Sequence, residues 1–205
     1  MARDRSPIVK QSRREGYALH PKAHKIMAKR TTIPGEHGRG RQSKPSGYAL
    51  QLREKQKVRR LYGLLEKQFS NLMKEASRSS GQSGQVLLQL LERRLDNAVY
   101  RAGFATSRRA ARQLVSHGHC MLNGKRVDIP SIRVKEGDEI TVRTKSASNE
   151  YFKQLPEVAT AANQPSLSWL TSDAKKMTVK ITGLPAREEA EPDINEQLIV
   201  EFYSR

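Results

Sequence analysis

The sequence has little cysteine and no long apolar run. A single cysteine, Cys120, among 205 residues rules out a disulfide within the chain and indicates a reducing compartment. It also argues against a structural zinc site, which needs four ligands. No apolar stretch approaches the 18 residues of a membrane span, and no apolar segment of a secretory signal follows Met1-Ala2-Arg3-Asp4-Arg5. We therefore predict a cytoplasmic protein with no membrane segment, no metal and no cofactor.

Acidic residues are also scarce compared with basic ones. The chain has 38 Lys and Arg against 21 Asp and Glu, which gives a net charge of +17. Such an excess repels itself in a compact fold, so it predicts a polyanionic partner, with nucleic acid favoured over an anionic membrane. Residues 1–60 hold 17 basic and 4 acidic residues, whereas residues 146–205 hold 6 and 9. The basic surface is therefore expected in the first two thirds, while the acidic end is either solvated or faces another basic protein.

Residues 1–47 form a basic N-terminal arm. They show no sustained hydrophobic period, and residues 34–41 combine Pro and Gly with cations. This composition predicts an arm that becomes ordered only against a partner. The alternative is a flexible tail with no role.

Residues 48–83 have the pattern of a helical region. Apolar residues from Val58 to Ala76 recur at spacings of three and four, and Gly63 is expected to weaken or divide the helix. The other faces carry a cluster of cations with only Glu54 to offset them, namely Arg53, Lys55, Lys57, Arg59 and Arg60. An amphipathic core helix with solvated cations explains the apolar face but not this cluster. Residues 79–84 resemble a linker.

The pattern of residues 85–145 predicts two helices, a hairpin and a further strand. The first helix runs through Leu87 to Arg101, and the second from Arg108 to His117, with Thr106 or Ser107 as N-cap and Gly118 as C-cap. Asn123-Gly124 between short apolar stretches is a strong hairpin signal. The fold class that follows is α+β.

The second of these helices holds the candidate phosphate ligands. Helix N-termini bind anions, and Arg makes bidentate phosphate contacts. A helix beside a basic hairpin therefore suits recognition of structured RNA by shape and backbone. The alternative is a solvated charged face. The candidates are Ser107, Arg108, Arg109, Arg112, Gln113 and Ser116 on the helix, and Lys125 and Arg126 on the hairpin.

Several segments together resemble the bacterial small-subunit ribosomal protein four family. They are residues 48–60, 95–101 and 112–118, the Asn123-Gly124 pair, and the ending 195–203. They occur in order and at the family's spacing over essentially the whole chain. Residues 94–145 resemble the RNA-binding module named after this family.

The resemblance implies a two-domain arrangement. It has a mostly helical first domain, formed by 48–83 and completed by 171–205. The second domain, 84–170, is inserted and contains the helix-helix-hairpin module with a small antiparallel sheet. The N-terminal arm of many family members carries a cysteine cluster that can hold zinc. This arm has no cysteine, so no metal is carried over.

The resemblance also implies a structural role in the small ribosomal subunit rather than an enzymatic one. The family binds 16S rRNA early, nucleates assembly of the subunit body, and with ribosomal protein five influences translational accuracy. We assign rRNA binding to the cations and helix residues above, together with Arg13, Arg14, His117 and Asn123. Arg39, Arg41 and Lys44 are candidates for contacting mRNA where it enters the subunit. Glu196 and Glu201, expected on the exposed side of a final helix, are candidates for the contact with ribosomal protein five.

Other functions remain as alternatives. Arg94-Leu95-Asp96 resembles the motif around the catalytic Asp of pseudouridine synthases, some of which carry the same module, although Asp96 is more simply explained by pairing with an Arg. The histidines near Cys120 and in the arm do not supply the four ligands of a structural zinc site. Two helices joined across Gly103 to Ser107 resemble a DNA-binding helix-turn-helix, but the following hairpin, the basic arm and the family segments favour the ribosomal protein. Another RNA-binding regulator that carries the same module stays an alternative.

Overall fold

The computed structural model describes residues 4–40, 43–154, 157 and 167–204. The chain divides into two compact units. The first contains Met1–Leu87 and Asp193–Arg205, and the second contains Leu88–Pro192.

The described residues of the first unit form helices joined by turns and loops. Its helices are α1 (Ile8–Glu15), α2 (Pro21–Lys29), a 3-10 helix (Glu36–Arg39), α3 (Gly47–Leu61), α4 (Glu66–Arg78) and the C-terminal α10 (Glu196–Tyr203), while α5 (Ser83–Glu92) begins in it. Gly63 separates α3 from α4 with a φ of 65°, a conformation that glycine adopts without steric cost. The predicted division of the long helix at this residue is confirmed. The predicted short final helix is confirmed as well.

The N-terminal arm is folded within the described residues, so the prediction that it becomes ordered only against a partner is wrong. Arg13 donates from Nη2 to the Thr32 carbonyl at 2.8 Å, and Arg14 donates to the Pro34 carbonyl at 3.3 Å. Leu19 and Ala23 are buried. The composition did not predict a folded arm, because composition does not show that these cations bind backbone carbonyls of the arm itself.

In the part of the chain that the structure describes, the second unit contains further helices and an antiparallel sheet. The helices are α6 (Leu95–Arg101), α7 (Arg108–Ser116), α8 (Thr144–Ala147) and α9 (Glu150–Lys153). The strands are β1 (Cys120–Leu122), β2 (Lys125–Val127), β3 (Glu139–Val142), β4 (Leu170–Asp173) and β5 (Thr178–Ile181), in the order β2-β1-β3-β5-β4. Trp169, Phe104 and Ile140 lie in the core between helices and sheet. The predicted α+β class is confirmed.

The predicted Asn-Gly hairpin is confirmed in detail. Asn123 and Gly124 both have positive φ, 49° and 76°, as a type I′ turn requires, and Leu122 pairs with Lys125 across it. The Asn123 side chain donates to Asp138 Oδ1 at 2.8 Å and accepts the Glu139 amide at 2.9 Å. Asn123 therefore ties the turn to β3.

The single helix expected from Leu87 to Arg101 is instead two helices. Arg94 has extended backbone, with φ −68° and ψ 139°, and forms an isolated β-bridge with Arg133. The Leu95 amide donates to the Ile132 carbonyl at 2.8 Å. The segment around Ile132 and Val134 supplies these backbone partners. The helix therefore breaks at Arg94, although the apolar periodicity of the sequence continues across the break.

Residues 171–192 also differ from expectation. The resemblance placed all of 171–205 with the helical domain, but β4 pairs with β5, and β5 pairs with β3. This pairing joins the segment to the sheet of the second unit. Only residues from Asp193 onward belong to the first unit.

Cys120 supplies a prediction about solvent access in the second unit. Its side chain is buried, and burial raises the pKa of its thiol to about 12. Because the thiolate is the reactive species, we expect no labelling by a thiol-reactive disulfide reagent at about pH 8 in the native protein. The same protein unfolded in guanidinium should label promptly and provides the control. Fast labelling of the native protein would contradict the burial.

Candidate nucleic-acid interface

Helix α7 begins with a side-chain cap and presents one exposed stripe. The Ser107 hydroxyl accepts the Ala110 amide at 3.2 Å, which confirms the predicted N-cap, and Ser107 itself is buried. The hydroxyl therefore serves the helix rather than facing outward. The exposed residues recur at helical spacing: Arg109, Gln113, Ser116 and His117.

The other two arginines of α7 face inward. Arg108 donates from Nε to Asn97 Oδ1 at 2.9 Å and from Nη2 to Glu191 Oε1 at 2.8 Å. Arg112 Nη1 lies 3.6 Å from Asp96 Oδ2. Their side chains are only 13% and 11% exposed, so of the three α7 arginines predicted as phosphate ligands only Arg109 is exposed.

The hairpin meets the end of α7. A Cβ added at Gly118 would lie 2.6 Å from Arg126 Nε, so this guanidinium lies directly against the backbone that leaves the helix. Gly118 also has a φ of 70°, which is a second reason for glycine at this position. Lys125 and Arg126 are exposed. We call the surface formed by these two residues and the α7 stripe the α7–hairpin face: Arg109, Gln113, Ser116, His117, Lys125 and Arg126.

In the first unit, Glu15 of α1 binds two of the predicted rRNA-binding cations of α3. Its carboxylate pairs with Arg53 at 3.1 Å and with Arg60. The Glu15 side chain is fully buried; burial raises its pKa, while the two guanidinium groups act in the opposite direction. These arginines thus hold α1 on α3.

The other α3 cations are paired as well. Lys55 contacts Glu66 of α4 at 2.7 Å, and Arg59 lies 3.5 Å from the same carboxylate. Lys57 pairs with Glu54 at 2.8 Å. Lys55 is only 6% exposed, so this residue is part of the packing of the unit.

The arm supplies exposed cations beside a cleft. Arg13, Lys29, Arg30 and Arg39 line a cavity of about 610 Å³ between α2 and the 3-10 helix. Lys29, Arg30 and Arg39 are exposed, and so is Lys44, whereas Arg41 lies outside the described residues. Lys29 and Arg30 were missed as candidates, although their adjacency in the sequence was a signal.

Glu196 and Glu201 do not lie on an exposed side of α10, contrary to the prediction. Both are half-buried. Glu201 accepts from Gln51 Nε2 at 2.9 Å, and a Cβ at Gly84 would lie 2.6 Å from Glu196 Cγ. These two residues therefore pack within the first unit.

The residues behind the alternative functions have structural partners. Asp96 accepts from Arg94 Nε at 3.0 Å and Nη2 at 2.7 Å, which confirms the expected pairing with an Arg. Among the residues that the structure describes, no three His, Cys, Asp or Glu side chains are grouped to hold a metal ion. Within the same residues, no helix combines the length and the apolar character needed to cross a membrane.

Comparison with known proteins covers nearly the whole chain. A family model described as "Ribosomal protein S4/S9 N-terminal domain" matches residues 3–92, and one described as "S4 domain" matches residues 93–140. The chain is 50% identical to "Small ribosomal subunit protein uS4" of Roseiflexus sp. over the full length of both proteins. The protein of the same name from Thermus thermophilus is 49% identical, again over both full lengths.

The chain belongs to the uS4 family. This membership confirms the resemblance seen in the sequence and the prediction that the chain is not an enzyme. The pseudouridine synthase alternative is therefore not favoured, in agreement with the structural role of Asp96. The S4 domain match includes all six residues of the α7–hairpin face.

Proposed function

We propose that this uS4 protein is a structural component of the small ribosomal subunit that binds 16S rRNA through the α7–hairpin face. The observation that carries the proposal is the exposed stripe of α7 ending where Arg126 lies against Gly118, inside the segment that matches the S4 domain. Its relatives are named small ribosomal subunit proteins, and such a protein works in the cytoplasm, as the sequence predicted.

The chemistry of the face suits a folded RNA. Arg109, Lys125 and Arg126 supply cations for phosphates, while Gln113 and Ser116 can exchange hydrogen bonds with 2′-hydroxyl groups. The inward arginines hold the helix in place before RNA arrives, and a preformed surface loses less conformational entropy on binding. The face therefore favours recognition of RNA shape and backbone over base sequence.

The wider roles that the resemblance implies are part of this proposal. They are nucleation of the subunit body and, with ribosomal protein five, an influence on translational accuracy. Contact with mRNA where it enters the subunit is supported by the exposure of Arg39 and Lys44. Glu196 and Glu201 are weaker candidates for the protein five contact than the sequence indicated, because both pack against their own unit.

Changing Arg109 and Lys125 together to Ala tests the proposal. Two lost phosphate contacts at about 1 kcal/mol each should weaken binding of the full chain to 16S rRNA roughly 30-fold, as measured by filter binding. Both residues are exposed, so we expect the free energy of unfolding to change by under about 1 kcal/mol.

Lys74→Ala is the matched control, because Lys74 is an exposed cation on α4, away from the face in sequence. We expect this variant to bind almost as tightly as the wild type. Backbone footprinting of the bound RNA should show lost protection for the double variant alone. Equal affinity of the double variant and the control would overturn the assignment to the α7–hairpin face.

A further inference from the structure

A network of ion pairs on the inner side of α7 involves the acidic segment near residue 190. Glu191 Oε1 accepts from Arg108 Nη2 at 2.8 Å and lies 3.7 Å from Arg101 Nη2. The Glu191 side chain is 18% exposed, and that of Arg108 is 13% exposed. The sequence predicted only that the acidic end is solvated or faces another basic protein.

A second carboxylate completes the network from the end of α5. Glu92 accepts two hydrogen bonds from Arg101, each 2.9 Å long, and a third from Asn97 Nδ2 at 2.7 Å. Asn97 in turn accepts from Arg108 Nε. The first residue of α7 is thus bonded on one side to α6 and on the other to Glu191.

We propose that Glu191 is a positioning residue that sets the placement of the α7 N-terminus, and with it the affinity of the α7–hairpin face for RNA. In this arrangement Arg108 has a structural role within the protein and is not a phosphate ligand. The inference rests on the proposed RNA binding and goes beyond it, because it assigns a role to an acidic residue far along the chain from the face.

The direction of the change in RNA affinity distinguishes a positioning role of Glu191 from simple electrostatic repulsion of phosphates. A carboxylate near an RNA-binding face repels phosphates, so its removal should leave affinity equal or raise it. A carboxylate that holds the helix in place should do the opposite, because its removal releases Arg108 and loosens the face. Glu188 provides the matched control, since it lies in the same acidic segment and is exposed.

The experiment measures binding of the full chain to a 16S rRNA transcript at one fixed salt concentration. We expect Glu191→Ala to bind on the order of tenfold more weakly than the wild type, which is the effect of one lost charge-assisted hydrogen bond. Glu191→Gln retains an acceptor for Arg108 and should recover part of the loss. Glu188→Ala should bind as tightly as the wild type or slightly more tightly.

The outcomes distinguish the two proposals. A wild-type chain that does not bind 16S rRNA would refute the proposed function itself. A wild-type chain that binds, together with Glu191→Ala binding as tightly as Glu188→Ala, would overturn only the positioning role.

If Glu191→Ala does not fold, Arg108→Gln keeps the inference testable. If Arg108 has only a structural role, Arg108→Gln should bind RNA more weakly with an unchanged salt dependence. If Arg108 binds a phosphate, the variant should lower the slope of log affinity against log salt by about one. A lowered slope would therefore overturn the role given to Arg108 and, with it, to Glu191.

Discussion

Replacing Asp96 with Ala is expected to lower the free energy of unfolding of the second unit by about 3–5 kcal/mol, because it leaves a buried charge without its partner. Arg94 is 6% exposed and donates two hydrogen bonds to this carboxylate, which also accepts the Asn97 amide at 3.0 Å. Urea unfolding followed by the fluorescence of Trp169 would measure the loss. This buried tryptophan, the only one in the sequence, lies in the core of the second unit and reports on it selectively.

Asp128→Ala serves as the control for this experiment. Asp128 is an exposed acidic residue just after β2, so its removal should change the free energy of unfolding by no more than about 0.5 kcal/mol. If Asp96→Ala proves as stable as Asp128→Ala, the buried pair does not hold the start of α6.

The affinity of the full chain for 16S rRNA should fall by about 10³ or more between 50 and 200 mM salt, because six or more neutralised phosphates release their counterions. This number of contacts exceeds the three cations of the α7–hairpin face, so it requires further exposed cations such as Lys29, Arg30 and Arg39 of the arm. Cations that are already paired within the protein, such as Lys55 with Glu66, should contribute little to the slope. Filter binding across this salt range provides the measurement.

The Arg109→Ala, Lys125→Ala double variant tests which cations produce the slope. Loss of two phosphate contacts should reduce the slope of log affinity against log salt by about two. Lys74→Ala should leave it unchanged. A salt profile in which wild-type affinity changes less than tenfold would refute the idea that the charge excess is a phosphate-binding surface.

Local structure followed closely from the sequence because its causes lie within a few residues. Ser107 caps α7 through an amide three residues away, and Asn123-Gly124 supplies the two positive φ angles of the hairpin turn. Gly63 divides α3 from α4 for the same kind of reason. Each feature depends on backbone geometry that a short window of sequence determines.

The candidate site was only partly predictable, because charge alone does not show whether a cation is exposed. Arg109 and Lys125 are exposed as expected, whereas Arg108 and Arg112 have the same residue type and the same helix but face inward. A helical turn places residues four apart on one side, so these two share the side that packs on α6. The sequence contained this spacing, but it did not show that Asp96 and Glu191 lie on that side and pair with the two arginines.

The sequence by itself determined the α+β class, the capped helix and hairpin, the excess of cations and the family. Only the tertiary structure decided which cations are exposed. Glu15 lies 45 residues from Arg60, and Glu191 lies 83 residues from Arg108. Ion pairs across such separations form only when the fold brings the two segments together. Burial then decides whether a charged side chain pairs within the protein or stays accessible to a ligand.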